Sequence, residues 1–253
     1  MWHELAPKAP KKPVPRKEKK ARKTTRAPLV AEWTRDEALE RFRQVYADGF
    51  LDAQYALQER HWKWSRHELW RDTVSADGFR ALVTTSPESA ARLIGQMIQS
   101  QAPPLQPQSE MVAMRDGVHR PEHAAVYFST LADLLEAPSL TPEVFESHLQ
   151  ALTSLPLPGS GNLAKWTSVT IIPFLVQPTR HMFLKPSRTK EITRRLGVDI
   201  RYSSTPKWET YKRLLDFSND LLEFLKPHGA KDMIDVQSFI WAITSVDDDP
   251  APA

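Results

Sequence analysis

Helix-opening chemistry recurs along this chain and constrains its fold more than any other feature. In "WTRDEALERFRQVY", Thr34 and Glu37 stand at capping-box spacing, and Leu39, Phe42, Val45 and Tyr46 follow at helical spacing. Ser86-Pro87-Glu88 supplies N-cap and N1 residues ahead of "SAARLIGQMIQSQ". Pro121 opens "EHAAVYFSTLADLLEA", and Thr141-Pro142-Glu143 opens "VFESHLQALTSL". Three more helices are expected at about 188–196, stopped by Gly197, about 206–226, stopped by Pro227 and Gly229, and about 231–243. "HMFL" and "VDIRY" are strand-like patches, too few to build a sheet. The expected fold class is mostly α, a multi-helix globular domain.

One stretch predicts what lies at the centre. In "FLDAQYALQERHWKWSRHELWRDTV", Tyr55, Trp62 and Leu69 recur every seven residues on one face with Leu51. Phe50, Leu57 and Trp64 recur in the same way on nearly the opposite face. A long helix apolar on two sides is expected to be packed on both flanks, or to dock a partner with the second face. "APPLQPQ", residues 102–108, marks a loop or subdomain boundary, and "WTSVTIIPFLV", 166–176, is the most apolar run.

The charge is divided. Ten Lys/Arg against Glu4 and Glu18 give residues 1–27 a net +8, and the other 226 residues, with 24 Lys/Arg against 29 Asp/Glu, carry −5. Pro7, Pro10, Pro13, Pro15 and Pro28 interrupt any helix there, so 1–32 is expected to be a disordered basic tail, 33–246 the helical domain and 247–253 a frayed end. There is no cysteine, which excludes disulfides, thiolate metal sites and cysteine nucleophiles. No apolar run reaches the roughly 18 residues of a membrane span, and the N-terminus lacks a targeting pattern, so a cytoplasmic protein with no membrane partner is expected.

Lys8, Lys11, Lys12, Arg16, Lys17, Lys19, Lys20, Arg22, Lys23 and Arg26 are spaced by proline without apolar periodicity. That pattern suits neutralisation of phosphates by an arm that needs no fixed geometry. "HRPEH", 119–123, has the H-x-x-E-H pattern of inverted zinc peptidases, but Pro121 sits naturally at a first helical position and leaves His119 outside the helix. No metal site and no cofactor are expected. In "ERHWKWSRHELWRD" aromatics alternate with cations, a base-stacking pattern, yet Trp62 and Trp64 already belong to the apolar stripes. Asp232 and Asp235 read as helix-start acids that complement the dipole.

"LPLPGSGNLAKW", 155–166, is the most specific local feature: Gly159 and Gly161 in a turn before a helix can present backbone N–H groups to a phosphate. It resembles the helix-hairpin-helix element L-P-G-x-G-x-x-A of DNA glycosylases, and "WTSVTIIPFLVQPTRHMFLKPSRTKEITRRLG" continues the likeness through an apolar helix to "R-L-G". Leu163 stands where a lyase lysine would be, and Lys185-Pro186 lies near the place of the catalytic Asp. The resemblance therefore implies binding to the DNA backbone without glycosylase chemistry. The C-terminal block is also similar to uncharacterised bacterial helical proteins, some of which accompany restriction or defence systems.

The expected contacts are thus the ten tail cations, Gly159, Gly161, Lys165, Lys185, Arg188 and Arg195, with DNA ahead of RNA as partner. The expected function is non-enzymatic nucleic-acid binding, accessory to a DNA-processing or defence system. The alternatives are a diverged DNA-acting enzyme, with Asp199, Asp232 and Asp235 as candidate carboxylates, and a protein–protein adaptor in a bacterial complex.

Overall fold

The computed structural model describes residues 29–99, 105–155 and 161–245. They form helices joined by loops, with no strand among the described residues. "HMFL" and "VDIRY" belong to no helix or ladder, and Arg201 within the latter adopts a positive φ of +49°.

The expected openers start helices. In α1 (Arg35–Val45), the Glu37 N–H donates to Thr34 Oγ1 at 3.1 Å and the Thr34 N–H to Glu37 Oε2 at 2.7 Å, a reciprocal capping box. Tyr46 turns inward beyond its end, whereas Val45 faces out. A short α2 (Ala53–Tyr55) is followed by a π turn over Ala56–Arg60 and by α3 (His61–Thr73). Next come α4 (Gly78–Thr85) and α5 (Pro87–Ile98), the latter with proline in its first turn. Behind Pro107, α6 (Gln108–Val118) has no side-chain cap, and α7 (Pro121–Glu136) and α8 (Pro142–Ala151) open on their prolines. The Thr141 hydroxyl caps α8 by accepting from the Val144 N–H.

Four helices complete the body: α9 (Trp166–Val176), α10 (Pro186–Arg195), α11 (Trp208–Leu225) and α12 (Met233–Ser245). Gly197 and Gly229 both adopt positive φ, +67° and +101°, just past α10 and past the 3-10 turn that ends α11, as expected of glycine stops.

The central position differs from the expectation. α12 is buried on nearly all sides and packs against α1, α9, α10, α11 and the π turn, and every residue of α9 is buried. The 50–74 stretch is not one straight two-faced helix. Asp52 starts it afresh by accepting the N–H groups of Gln54 and Tyr55, leaving Phe50 buried in a separate 3-10 turn and Leu51 exposed. The π turn over Ala56–Arg60 interrupts the regular helical period, and of the two expected stripes Tyr55 is buried whereas Leu57 is 64% exposed. Trp62, Trp64 and Leu69 pack against the core only in part.

One apolar core runs through elements on both sides of residues 102–108, with Leu105 and Gln106 themselves buried. Among the described residues, no helix is long and apolar enough to cross a membrane.

Candidate functional site

Among the described residues, α10 with its flanks is the densest cationic element. Thr189, Ile192 and Thr193 turn inward, which leaves Lys190 and Arg194 on the outer side. From Lys185 to Arg195 there are five cations against one carboxylate, Glu191. Ten helical residues extend about 15 Å, and the two ends of this helix are built differently.

At the N-terminal end, Lys185 Nζ lies 4.4 Å and the Arg188 guanidinium 4.9 Å from the centre of the Trp241 ring. Both cations sit on the indole π-system, an attraction to the ring quadrupole. Arg188 also donates to the Thr244 carbonyl, which ties α10 to α12. Burial, assisted by the neighbouring Arg188 charge, holds the Lys185 amine below its ordinary value. Midway, Lys190 lies 5.5 Å from the Tyr202 ring centre.

At the C-terminal end, the start of the described chain lies along the helix. The N–H groups of Glu32 and Trp33 donate to the Arg195 carbonyl at 2.7 and 2.9 Å, satisfying an acceptor that the helix terminus leaves open. The Glu32 carboxylate bridges Arg194 and Arg195, and both arginines also reach Glu191. The Trp33 ring is flanked by the guanidinium groups of Arg41 at 4.3 Å and Arg195 at 4.7 Å. Gly197 allows this approach, because a Cβ there would stand 2.8 Å from the Ala31 nitrogen.

Beneath the Lys185 end lies a buried ionic network. Arg60 pairs with Asp232 and Asp235, and Asp235 also accepts from the Tyr55 hydroxyl and the Lys231 N–H. Burial opposes the Arg60 charge, but hydrogen bonds and attraction from the two aspartates outweigh it and strengthen its hold on the proton. For the Tyr55 phenol, burial and the Asp235 charge both act to retain the proton. Fully buried Lys63 donates to Glu59 Oε2 at 2.5 Å and to Ser238 Oγ at 2.7 Å. Burial lowers its amine from the usual value, and Glu59 opposes that shift. Glu59, Trp62, Lys63, Lys185, Gln237 and Trp241 line a narrow cleft over this network, with about 10 Å³ of open space, room for a single water.

Of the sequence-predicted contacts, Lys185, Arg188 and Arg195 are brought together on α10. Arg195 is half-buried as the anchor of Glu32 and Trp33. Gly161 and Lys165 are exposed on a different element, the loop before α9. There the Glu110 carboxylate accepts from the Thr167 and Ser168 hydroxyls, setting an acidic group against the first turn of α9. Gly159 and the ten tail cations lie outside the described residues. Asp199 accepts from the Arg201 N–H in an exposed loop, while Asp232 and Asp235 are committed to Arg60. His119 closes α6 and Arg120 precedes α7, so the two ends of "HRPEH" belong to different helices. No three His, Asp or Glu among the described residues are placed to hold a metal ion.

Sequence reasoning missed Glu32, Trp33 and Trp241. Tryptophan beside arginine in "EWTRDEALERFR" was the available signal for Trp33. Among known protein families, curated proteins and solved structures, none matches this chain.

Proposed function

We propose that this protein binds nucleic acid along its phosphate backbone, DNA ahead of RNA, by combining its basic N-terminal segment with the outer side of α10. The observation that carries this reading is the anchoring of Glu32 and Trp33 on Arg195, because it makes the segment with net +8 join the body at the most cationic helix. The segment of net +8 and the cations of α10 would act on the same polyanion, whereas residues 28–253 as a whole carry −5. Lys190 is exposed for phosphate contact, Arg194 is exposed but shared between Glu32 and Glu191, Lys185 borders the Trp241 cleft and Arg188 stacks on the same ring. The reading assigns no catalytic part to Asp232 or Asp235, whose oxygens are taken up by Arg60, Tyr55 and backbone N–H groups.

The test is fluorescence anisotropy with a labelled duplex and its single strands, in DNA and RNA, at about 50 and 200 mM salt. Full-length protein should bind with steep salt dependence, and removal of residues 1–27 should flatten it. Lys185→Gln with Lys190→Gln should reduce the log–log slope by about one or two, the loss of that many phosphate contacts. Affinity and slope unchanged by both alterations would reject the proposal.

A further inference from the structure

A second feature, independent of the cationic surface, lies in the half of the body built by α4 to α7. In this part of the fold α4 packs on α5, α5 on α6, α6 on α7, and α7 back on α4. The four helices form a closed cycle of contacts and leave a pocket open to solvent on one side. Its hollow has a volume of about 250 Å³ and an apolar wall formed by Val83, Ala91, Val118, Ala124, Ala125 and Phe128. Alanine at three of these positions is what leaves the space: a larger side chain at any one would extend into it. It opens to solvent at Pro87, Glu88, His119 and Ala125, all exposed, and has a buried floor of Ala91, Val118, Ala124 and Phe128.

The rim is polar at one side. Glu88, in the first turn of α5, and His119, which closes α6, both border the hollow. The His119 ring lies over α5, its Nε2 3.9 Å from the position that a Cβ on Gly95 would take. Of the described residues lining the hollow, Glu88 supplies the one carboxylate. An apolar chamber with few polar groups at its mouth, set between helices, is the usual form of a small-molecule site.

We propose that this hollow is a binding site for a compact aromatic amine. The size follows from volume: an apolar cavity of about 150 Å³ holds benzene, so 250 Å³ accommodates two fused rings. The charge follows from the rim, where Glu88 attracts an ammonium and repels a carboxylate. The rings enter between Ala91 and Phe128, and the amine stays at the mouth within reach of Glu88 and solvent.

Three probes of the same ring size separate the elements of this proposal: tryptamine, indole and indole-3-acetate. Saturation-transfer NMR and thermal shift on the full chain should rank tryptamine first, indole second and the acetate last. Ala125→Phe sets a ring in the pocket from its exposed side and should weaken tryptamine by about tenfold by occupying its space, about 1.4 kcal/mol. Glu88→Gln should bring tryptamine down about threefold to the level of indole, the size of an exposed ion-pair effect. Circular dichroism of both variants confirms that the helices persist. Absence of saturable binding by all three probes would overturn the proposal. So would binding indifferent to Ala125→Phe, or the acetate bound as tightly as tryptamine. Either result leaves the nucleic-acid titration unaffected, since none of these residues lies on α10.

Discussion

Arg60 and Asp232 meet as a two-pronged pair, with Nη2 2.8 Å from Oδ2 and Nη1 3.1 Å from Oδ1, across 172 residues of sequence. The fork geometry matches guanidinium to carboxylate, and the same Nη1 also reaches Asp235 Oδ1 at 2.7 Å. This contact fixes the π turn on the first turn of α12, so the interrupted helix and the central helix are held as one unit.

Arg60→Ala would leave two buried carboxylates without their cation. The expected loss is about 3–5 kcal/mol of stability, the usual result of breaking a buried pair from one side. Tyr55→Phe removes one hydroxyl donor to Asp235 and should cost less, about 1–3 kcal/mol. Urea unfolding of both variants measures this order, and an Arg60→Ala protein as stable as the parent would show that the network contributes nothing.

Two buried histidines predict the response to acid. His148 packs beside Tyr127, with ring centres 5.5 Å apart, and His181 Nδ1 lies 3.1 Å from the Tyr211 oxygen. Burial depresses His148 to about 4, and burial with the nearby Arg180 and His148 depresses His181 to about 3. Both lie below the unfolded value near 6.5, so between these limits the unfolded chain binds more protons than the folded one. Stability is therefore complete above pH about 6.5 and is lost as pH falls toward the folded values, His148 alone accounting for about 3 kcal/mol near pH 4. Urea midpoints at pH near 7, 5.5 and 4.5 should descend. His148→Gln should flatten that descent, and an equally steep one would remove His148 from the account.

What the sequence disclosed was chemistry that acts locally. Thr34 with Glu37, Thr141 before Pro142, and Gly197 after α10 each satisfy backbone groups a few residues away, so spacing alone locates them. The π turn escaped because the seven-residue repeat of Tyr55, Trp62 and Leu69 assumes an unbroken helical period, and no local spacing marks Arg60 as reaching Asp232 and Asp235. Asp232 and Asp235 have the spacing of helix-start acids, and Asp232 does accept from the Ile234 N–H. Their pairing with Arg60 is a tertiary fact that no window around residue 232 contains. On α10 the cations were legible, but not the commitment of Arg195 to Glu32 and Trp33, which come from the far end of the chain.

Gly197 tests that anchoring directly. Its φ of +67° disfavours any side chain, and a Cβ would press on the backbone of Ala31, at 2.8 Å from its nitrogen and 2.9 Å from its Cα. Gly197→Ala should destabilise the fold by about 1–3 kcal/mol and lift residues 31–33 from the end of α10. Amide exchange of Glu32 and Trp33, both bonded to the Arg195 carbonyl, should then accelerate more than that of α12. Unchanged exchange at these two amides would mean that the segment is held by something other than this contact.

Glu59 and Lys63 are about one helical turn apart and both buried, so the pair tests whether charge at this place supports the fold or merely survives in it. Lys63→Met alone strands the Glu59 carboxylate in the interior, and Glu59→Leu alone strands the ammonium beside Ser238. Each single change should cost about 3–5 kcal/mol, because desolvation of the remaining ion is no longer compensated. The double variant Glu59→Leu with Lys63→Met strands neither. It should unfold within about 1 kcal/mol of the parent or above it, since replacing a buried pair by apolar side chains of similar size is often neutral or stabilising. A double-mutant cycle by urea unfolding reads the difference as a coupling between the two side chains. If the double variant is instead as unstable as the singles combined, the coupling is zero and each side chain supports the fold through contacts other than its partner's charge.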